Sequence, residues 1–150
     1  GGVDDHVYHK LLRSIEQTLN HNNLEVTVAS GSSSVGLLAQ SLGFTWQEKS
    51  LDISAICSKF EFAITGAGVT AWELAFLQFP GFVVSVATNQ DFQLEYLRTH
   101  KIRLGVQIGS DNLNSELKTL IDAAPDYLEV IRPVDGRGRV LEFINRVITK

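Results

Sequence analysis

The stretch Phe62-Ala63-Ile64-Thr65-Gly66-Ala67-Gly68-Val69-Thr70-Ala71-Trp72-Glu73-Leu74 decides the fold of this chain. It opens with an apolar run of the length of a short buried strand, and a glycine turn follows at once. Helical spacing of apolar residues then continues from Thr70 to Phe79, where Pro80-Gly81 ends the pattern. The stretch therefore predicts a strand, a tight turn and a helix, which is the repeating unit of parallel α/β sheets.

The same alternation of strands and helices continues on both sides of this unit. The pattern predicts strands at 24–29, 44–47, 82–87, 102–107 and 128–131, and helices at 7–19, 35–42, 52–58, 91–100, 112–124 and 140–148. Such alternation favours a parallel sheet that is covered by helices on both faces. We therefore predict an α/β, Rossmann-like three-layer domain with a mostly parallel sheet, formed by residues 1–150 as one domain.

Composition excludes several classes of protein. The chain has 150 residues, of which 44% are hydrophobic and 20% charged, as is usual for a folded domain. Its net charge of -4, without a basic block, disfavours nucleic acid as a partner. We expect no membrane span, because no apolar run reaches the ~20 residues that a spanning helix needs. The single cysteine, Cys57, is expected to be a buried core thiol in a cytoplasmic protein.

The turn after the first quoted strand is a candidate phosphate-binding loop, formed by Gly66, Ala67, Gly68, Val69 and Thr70. Glycines let the backbone turn and approach a ligand, and the following helix offers free N–H groups and the positive end of its dipole. Ligands of open parallel sheets bind beyond the carboxyl ends of the strands. The alternative is that the glycines serve only the turn.

Glu73 lies one turn into the same helix, where a carboxylate can accept hydrogen bonds from both hydroxyls of a ribose. The alternative is that its charge only complements the helix dipole. A conventional dinucleotide site is disfavoured, since Ala71 occupies the third glycine position of that fingerprint. A dinucleotide site is also disfavoured because no acidic residue lies at the end of the strand that stops at Ala29-Ser30.

Three further groups of residues bear on ligand binding. Asn89 and Gln90 follow the strand at 82–87 and suit sugar hydroxyls or diphosphate oxygens, although a helix cap is the alternative. Gly1 and Gly2 precede the first helix as a possible second phosphate loop, or as a frayed start. The four histidines have no metal-ligand spacing, so we expect neither a metal nor another cofactor.

At these residues the chain resembles a known family. The run from Phe62 to Pro80, continued by Ala87-Thr88-Asn89-Gln90, resembles the C-terminal half of GT-B nucleotide-sugar enzymes. It is most similar to the UDP-sugar hydrolase of pseudaminic acid biosynthesis and to its relatives in spore-coat polysaccharide synthesis. The lipid-linked N-acetylglucosaminyltransferase of peptidoglycan synthesis is a more distant relative. Gly1-Gly2 and Asp4 also resemble the glycine loop of the hydrolase family.

The resemblance implies a UDP-sugar ligand. The Gly1-Gly2 loop and residues 66–70 would face its diphosphate, Glu73 would hold the ribose, and Asn89 and Gln90 would meet the phosphates or the sugar. The segment at 46–53 would border the uracil. The resemblance also implies an N-terminal Rossmann-like half that carries the catalytic base and a central strand before Gly1, both outside this sequence.

We therefore expect this chain to be the UDP-sugar-binding half of an enzyme that hydrolyses, or transfers from, a UDP-activated amino sugar for a surface glycan. By itself the domain is expected to be inactive, and no catalytic residue is assigned to it. A non-catalytic nucleotide-sugar-binding module attached to another enzyme is the alternative. A GT-B glycosyltransferase is a second alternative, and the sequence names neither the sugar nor the oligomeric state.

Overall fold

The computed structural model describes residues 4–48, 53, 57–100 and 104–123. Helices and strands alternate along them, in the order expected for an α/β domain. The elements are α1 (Asp5–His21), β1 (Thr27–Ala29), α2 (Ser33–Ser41), β2 (Thr45–Gln47), β3 (Ala63–Gly66), α3 (Val69–Phe76), β4 (Gly81–Ser85), the 3-10 helix Thr88–Gln90, α4 (Asp91–Thr99), β5 (Leu104–Gln107) and α5 (Leu113–Ala123).

Helix α1 shows how local sequence sets an element. Asp4 caps its start, because Oδ1 accepts a hydrogen bond of 3.0 Å from the His6 N–H. Its buried side chains recur at helical spacing and face the core: Leu11, Leu12, Ile15 and Leu19. The helix that the sequence predicts at 7–19 is confirmed.

Helix α3 ends at Phe76, three residues before the predicted end at Phe79. Gln78 adopts a left-handed conformation with φ of 54°, which stops the helix. The Phe79 N–H then donates to the Leu74 carbonyl over 2.9 Å and the Phe79 side chain turns into the core. The chain therefore leaves the helix before the Pro80-Gly81 signal.

The strands form two parallel sheets instead of the single sheet that the alternation predicts. β1 pairs with β2, with Val28 opposite Trp46. β4 lies between β3 and β5, with Val83 opposite Thr65 on one side and Gly105 on the other. Every pairing among the described residues is parallel, as the helical connections require.

Helices cover both faces of the β3-β4-β5 sheet. On one face, Phe82 and Val84 join the large core formed with α1, α2 and α5. On the other face, Val83 packs with Ala71 of α3 and Leu94 of α4. Side chains of successive strand residues point to opposite faces, so β4 is buried along its whole length. The α/β, Rossmann-like three-layer fold is confirmed.

Some predicted elements lie outside the described residues. These are the loop at 1–3, most of the helix at 52–58, the strand at 128–131 and the helix at 140–148. Among the described residues, no helix has the length and apolar character that crossing a membrane requires.

Candidate functional site

The loop between β3 and α3 leaves an open surface at the carboxyl end of the sheet. Gly66 ends β3, Ala67 is fully buried, and Gly68 caps α3 with φ of -108°. A side chain added at Gly68 would meet nothing within 4 Å. The glycine at this position therefore leaves space in front of the helix that nothing else in the described part of the chain fills.

The turn itself does not require glycine at position 66 or 68, contrary to the prediction. Gly43 and Gly109 are the glycines with positive φ among the described residues, so neither Gly66 nor Gly68 needs glycine for its backbone conformation. A Cβ atom on Gly66 would lie 3.4 Å from Val86 Cγ2, which is ordinary contact. What glycine supplies at Gly68 is access to the backbone.

The N-terminus of α3 has no side-chain cap in the structure. The Ala71 N–H donates to the Gly68 carbonyl over 3.1 Å, which closes the first turn. Val69 is 73% exposed and Thr70 is also exposed, and no side-chain cap accepts a hydrogen bond from the first N–H groups of the helix. Uncapped N–H groups and the helix dipole together favour an anion at this end.

Gln90 braces this loop from the neighbouring strand. Its Oε1 accepts hydrogen bonds from the Ala67 N–H at 3.1 Å and from the Val86 N–H at 3.2 Å. Ala67 and Val86 follow the ends of β3 and β4, so one side chain ties together the carboxyl ends of two strands. The Ala67 N–H also lies 3.2 Å from the Val84 carbonyl. The structure therefore gives Gln90 a bracing role that the sequence did not predict.

Glu73 is exposed on α3, one turn after the loop. Residues three and four apart share a face of a helix, so Glu73 lies on the same face as Val69 and Thr70. Among the described residues, no group forms a hydrogen bond or an ion pair with its carboxylate, which is available to a ligand. Asn89 is exposed in the 3-10 helix at the end of β4, the strand that neighbours β3.

The structure thus brings most of the predicted site residues to one edge of the sheet. Because β3 and β4 are parallel neighbours, the loops after them lie side by side. Residues 66–70, Glu73, Asn89 and Gln90 belong to this edge. Gly1 and Gly2 lie outside the described residues, and their part in the site stays a prediction.

A second polar cluster lies at the end of β1 and was missed by sequence reasoning. Ser32 caps α2 and donates a hydrogen bond from Oγ to Asp5 Oδ2 of α1. Ser34 Oγ lies 2.9 Å from His9 Nε2, also on α1. Burial, together with the charge of Asp5, raises the pKa of Tyr8 in the same turn. The serines and their α1 partners are more than twenty residues apart, so no local pattern signals the pairing.

The segment predicted to border the uracil is described only in part. The Trp46 indole N–H donates to the Ser30 carbonyl over 3.1 Å, and the ring packs directly against Gly36 of α2. A side chain at Gly36 would overlap the ring. Trp46 is therefore a packing residue between β2 and α2.

A cavity of about 220 Å³ lies elsewhere, between α4 and α5 at the end of β5. Acidic groups dominate its lining, because Asp91, Glu95 and Glu116 surround the single cation Arg98. Arg98 is paired with Glu116 at 3.6 Å. This lining repels a diphosphate, and it contains none of the predicted residues. A phosphate at a helix N-terminus needs an open surface with free N–H groups, so the α3 loop is the better anion site.

The described residues give little support to a metal site or to a nucleophilic cysteine. No three His, Cys, Asp or Glu side chains there are grouped closely enough to hold a metal ion. Cys57 is partly exposed, so the prediction of a fully buried thiol is wrong. Burial nevertheless raises the pKa of its thiol, which disfavours the thiolate that a nucleophile needs.

Comparison of the chain with models of known protein families, with curated proteins and with solved structures finds no match. The features of this chain that bear on function are therefore the geometry at the end of β3 and the resemblance of its motif.

Proposed function

We propose that this domain binds the nucleotide part of a UDP-sugar and forms one half of an enzyme that hydrolyses or transfers the sugar. The observation that carries the proposal is the uncapped N-terminus of α3, which opens directly from the end of β3 at Gly68. In parallel sheets this is where phosphate groups of nucleotides bind.

The geometry supports a role for each neighbouring residue. Backbone N–H groups at 68–70 would bind the diphosphate, and the Glu73 carboxylate would accept hydrogen bonds from the ribose hydroxyls. Gln90 would hold the loop in place through its bonds to Ala67 and Val86. Asn89 would meet the phosphates or the sugar from the adjacent loop.

The catalytic step would need a second domain. The α3 loop is open to solvent, and Glu73, the carboxylate on its face, is assigned to the ribose and not to catalysis. A partner half that closes over the loop would exclude water and supply the base. Leaving UDP would then be stabilised by the N–H groups of α3, which are aimed at the charge that develops on the diphosphate.

Calorimetric titration of the domain with UDP, with ADP as the control, tests the proposal. Preferential binding of UDP is the expected result, and turnover of a UDP-sugar by the domain alone is not expected. Equal affinity for UDP and ADP would contradict the proposed specificity for uridine. If neither nucleotide bound, the proposed nucleotide site at α3 would be contradicted.

A pair of substitutions at Gly68 separates binding from stability. Gly68→Asp should cap α3 and raise the free energy of unfolding by a few tenths to about 1 kcal/mol, since Asp caps better than Gly. It should also abolish UDP binding, because its carboxylate occupies and repels the diphosphate position. Gly68→Asn caps the helix without adding a charge, so it should weaken UDP binding less than Gly68→Asp does. If Gly68→Asp bound UDP normally, the diphosphate would have to lie elsewhere.

Glu73→Ala tests the ribose contact. The variant should lose about 1–3 kcal/mol of UDP binding energy, the range for hydrogen bonds to a charged group. Stability should hardly change, because Glu73 is exposed. Glu95→Ala is the matched control, an exposed glutamate on the neighbouring helix α4. Equal UDP affinity in both variants would contradict the assignment.

A further inference from the structure

Exposed apolar side chains are concentrated on one pair of helices. Seven large hydrophobic side chains are exposed among the described residues, and only Leu37 of α2 lies apart from α3 and α4. The other six lie on these two helices or directly after α3, and we name them the α3–α4 face: Val69, Trp72, Phe76, Leu77, Phe92 and Tyr96. A large apolar patch on the surface of a folded domain marks a place of interaction.

Ring contacts make the α3–α4 face continuous from one helix to the other. The ring centroids of Trp72 on α3 and Tyr96 on α4 lie 5.7 Å apart, and Tyr96 stacks on His100 with centroids 4.0 Å apart. Residues four apart share a face of a helix, so Phe76 continues the row from Trp72 and Phe92 continues it from Tyr96. The four exposed aromatic side chains therefore form one surface.

The area of the α3–α4 face matches the apolar part of a stable dimer interface. Phe92 is 80% and Phe76 is 64% exposed, whereas Trp72 and Tyr96 are exposed to a smaller extent. An aromatic side chain presents ~150–250 Å², so these four together offer roughly 350–550 Å². A standard interface buries about 800 Å² on each partner, and about 65% of it is apolar in homodimers, which is roughly 500 Å². The face supplies that amount.

Charged groups lie beside the α3–α4 face and disfavour a membrane surface as its occupant. Trp72 turns toward α4, so Glu73, about 100° further round α3, lies on the outer flank. Glu95 lies beside Tyr96 on the flank of α4 in the same way. Helix α3 has no Lys or Arg, and Arg98 of α4 is paired with Glu116. Helices that bind anionic lipids need basic residues, whereas an uncharged middle with a polar rim is typical of protein interfaces.

We propose that the α3–α4 face is the contact between two copies of this chain, related by a two-fold axis near Trp72 and Tyr96. In a two-fold contact the same patch serves both copies, so the uncharged middle of one face meets the uncharged middle of the other. A second copy carries an apolar area of equal size, which a different protein would have to supply separately. An axis perpendicular to the helices sets α3 and α4 of the two copies antiparallel, the arrangement that helix dipoles favour. Glu73 stays at the rim, so the contact does not depend on a nucleotide.

Sedimentation of the chain without nucleotide, from about 1 µM to about 1 mM, tests the proposal across weak and moderate affinities. The parent should pass from monomer to dimer as its concentration rises. Phe76→Lys and Phe92→Lys should each raise the dimer dissociation constant at least about tenfold, because each replaces an aromatic anchor with a charge. Leu37→Lys is the matched control, since Leu37 is 63% exposed on α2, nearly as exposed as Phe76. Circular dichroism checks that each variant folds, as expected for exposed positions.

The proposal requires both lysine variants on the α3–α4 face to weaken the dimer more than Leu37→Lys does, and any other order of the three overturns it. A parent chain that stays monomeric throughout, or that assembles beyond the dimer, overturns it as well.

Tryptophan fluorescence of the parent gives a second measurement that needs no charged variant. Trp72 lies in the proposed contact, whereas Trp46 is held within the domain by its bond to the Ser30 carbonyl. Emission should therefore shift to shorter wavelength as the concentration rises, and Trp72→Phe should abolish the shift. The absence of a shift, or a shift that persists in Trp72→Phe, would place any dimer contact elsewhere and reject the proposal.

Discussion

Replacing Gln90 with methionine should lower the free energy of unfolding by about 1–3 kcal/mol. The substitution nearly preserves side-chain volume and flexibility, so little of the loss comes from a cavity. It removes the acceptor that Oε1 offers to two backbone N–H groups. The loss is therefore a measure of how strongly one side chain holds the ends of β3 and β4 together.

The two hydrogen bonds do not contribute equally. The Ala67 N–H keeps a second acceptor, the Val84 carbonyl at 3.2 Å, so its loss should stay below about 1 kcal/mol. The Val86 N–H loses the acceptor that the structure gives it, and Val86 is only 4% exposed. An unsatisfied buried donor costs about 1–3 kcal/mol, so Val86 sets the magnitude.

Denaturant unfolding of three variants measures this effect. Gln90→Met should show the full loss, and Asn89→Ala, an exposed neighbour, should stay within about 0.5 kcal/mol of the parent. Gln90→Glu keeps an acceptor, so it should retain more stability than Gln90→Met, while its charge beside the loop should weaken UDP binding. A loss below about 0.5 kcal/mol in Gln90→Met would refute the bracing role.

Three further predictions concern packing, backbone conformation and pH. Gly105→Ala should cost at least about 1–3 kcal/mol in denaturant unfolding, because the added methyl overlaps the Val83 backbone carbonyl, whereas Gly31→Ala, in open space, is the control. Gly109→Ala should cost about 1 kcal/mol by the same assay, since φ there is 83°. Asp5→Asn should lower the raised pKa of Tyr8 in an ultraviolet absorbance titration; an unchanged pKa would leave burial as the sole cause. The pKa of Tyr8 is higher in the folded state than in the unfolded state. The stability that this tyrosine contributes is therefore present below pH 10.0 and is lost as the pH rises through the folded pKa.

Local sequence predicts the order of elements well where one signal dominates. The quoted stretch around Gly66 predicts β3, the turn and α3, and the helix predicted at 7–19 lies within α1. Boundaries differ where backbone conformation depends on tertiary contacts, as at Gln78, whose left-handed conformation ends α3 early. Neither propensity nor periodicity signals a positive φ at a glutamine.

The sequence predicts where the candidate site lies better than it predicts the role of each residue in it. The sequence located residues 66–70, Glu73 and Gln90 near one another because loops at the ends of neighbouring parallel strands meet. It assigned Gln90 to the ligand, whereas the structure directs Oε1 to two backbone N–H groups. The Ser34–His9 contact was not foreseen, because it joins two helices through tertiary structure alone.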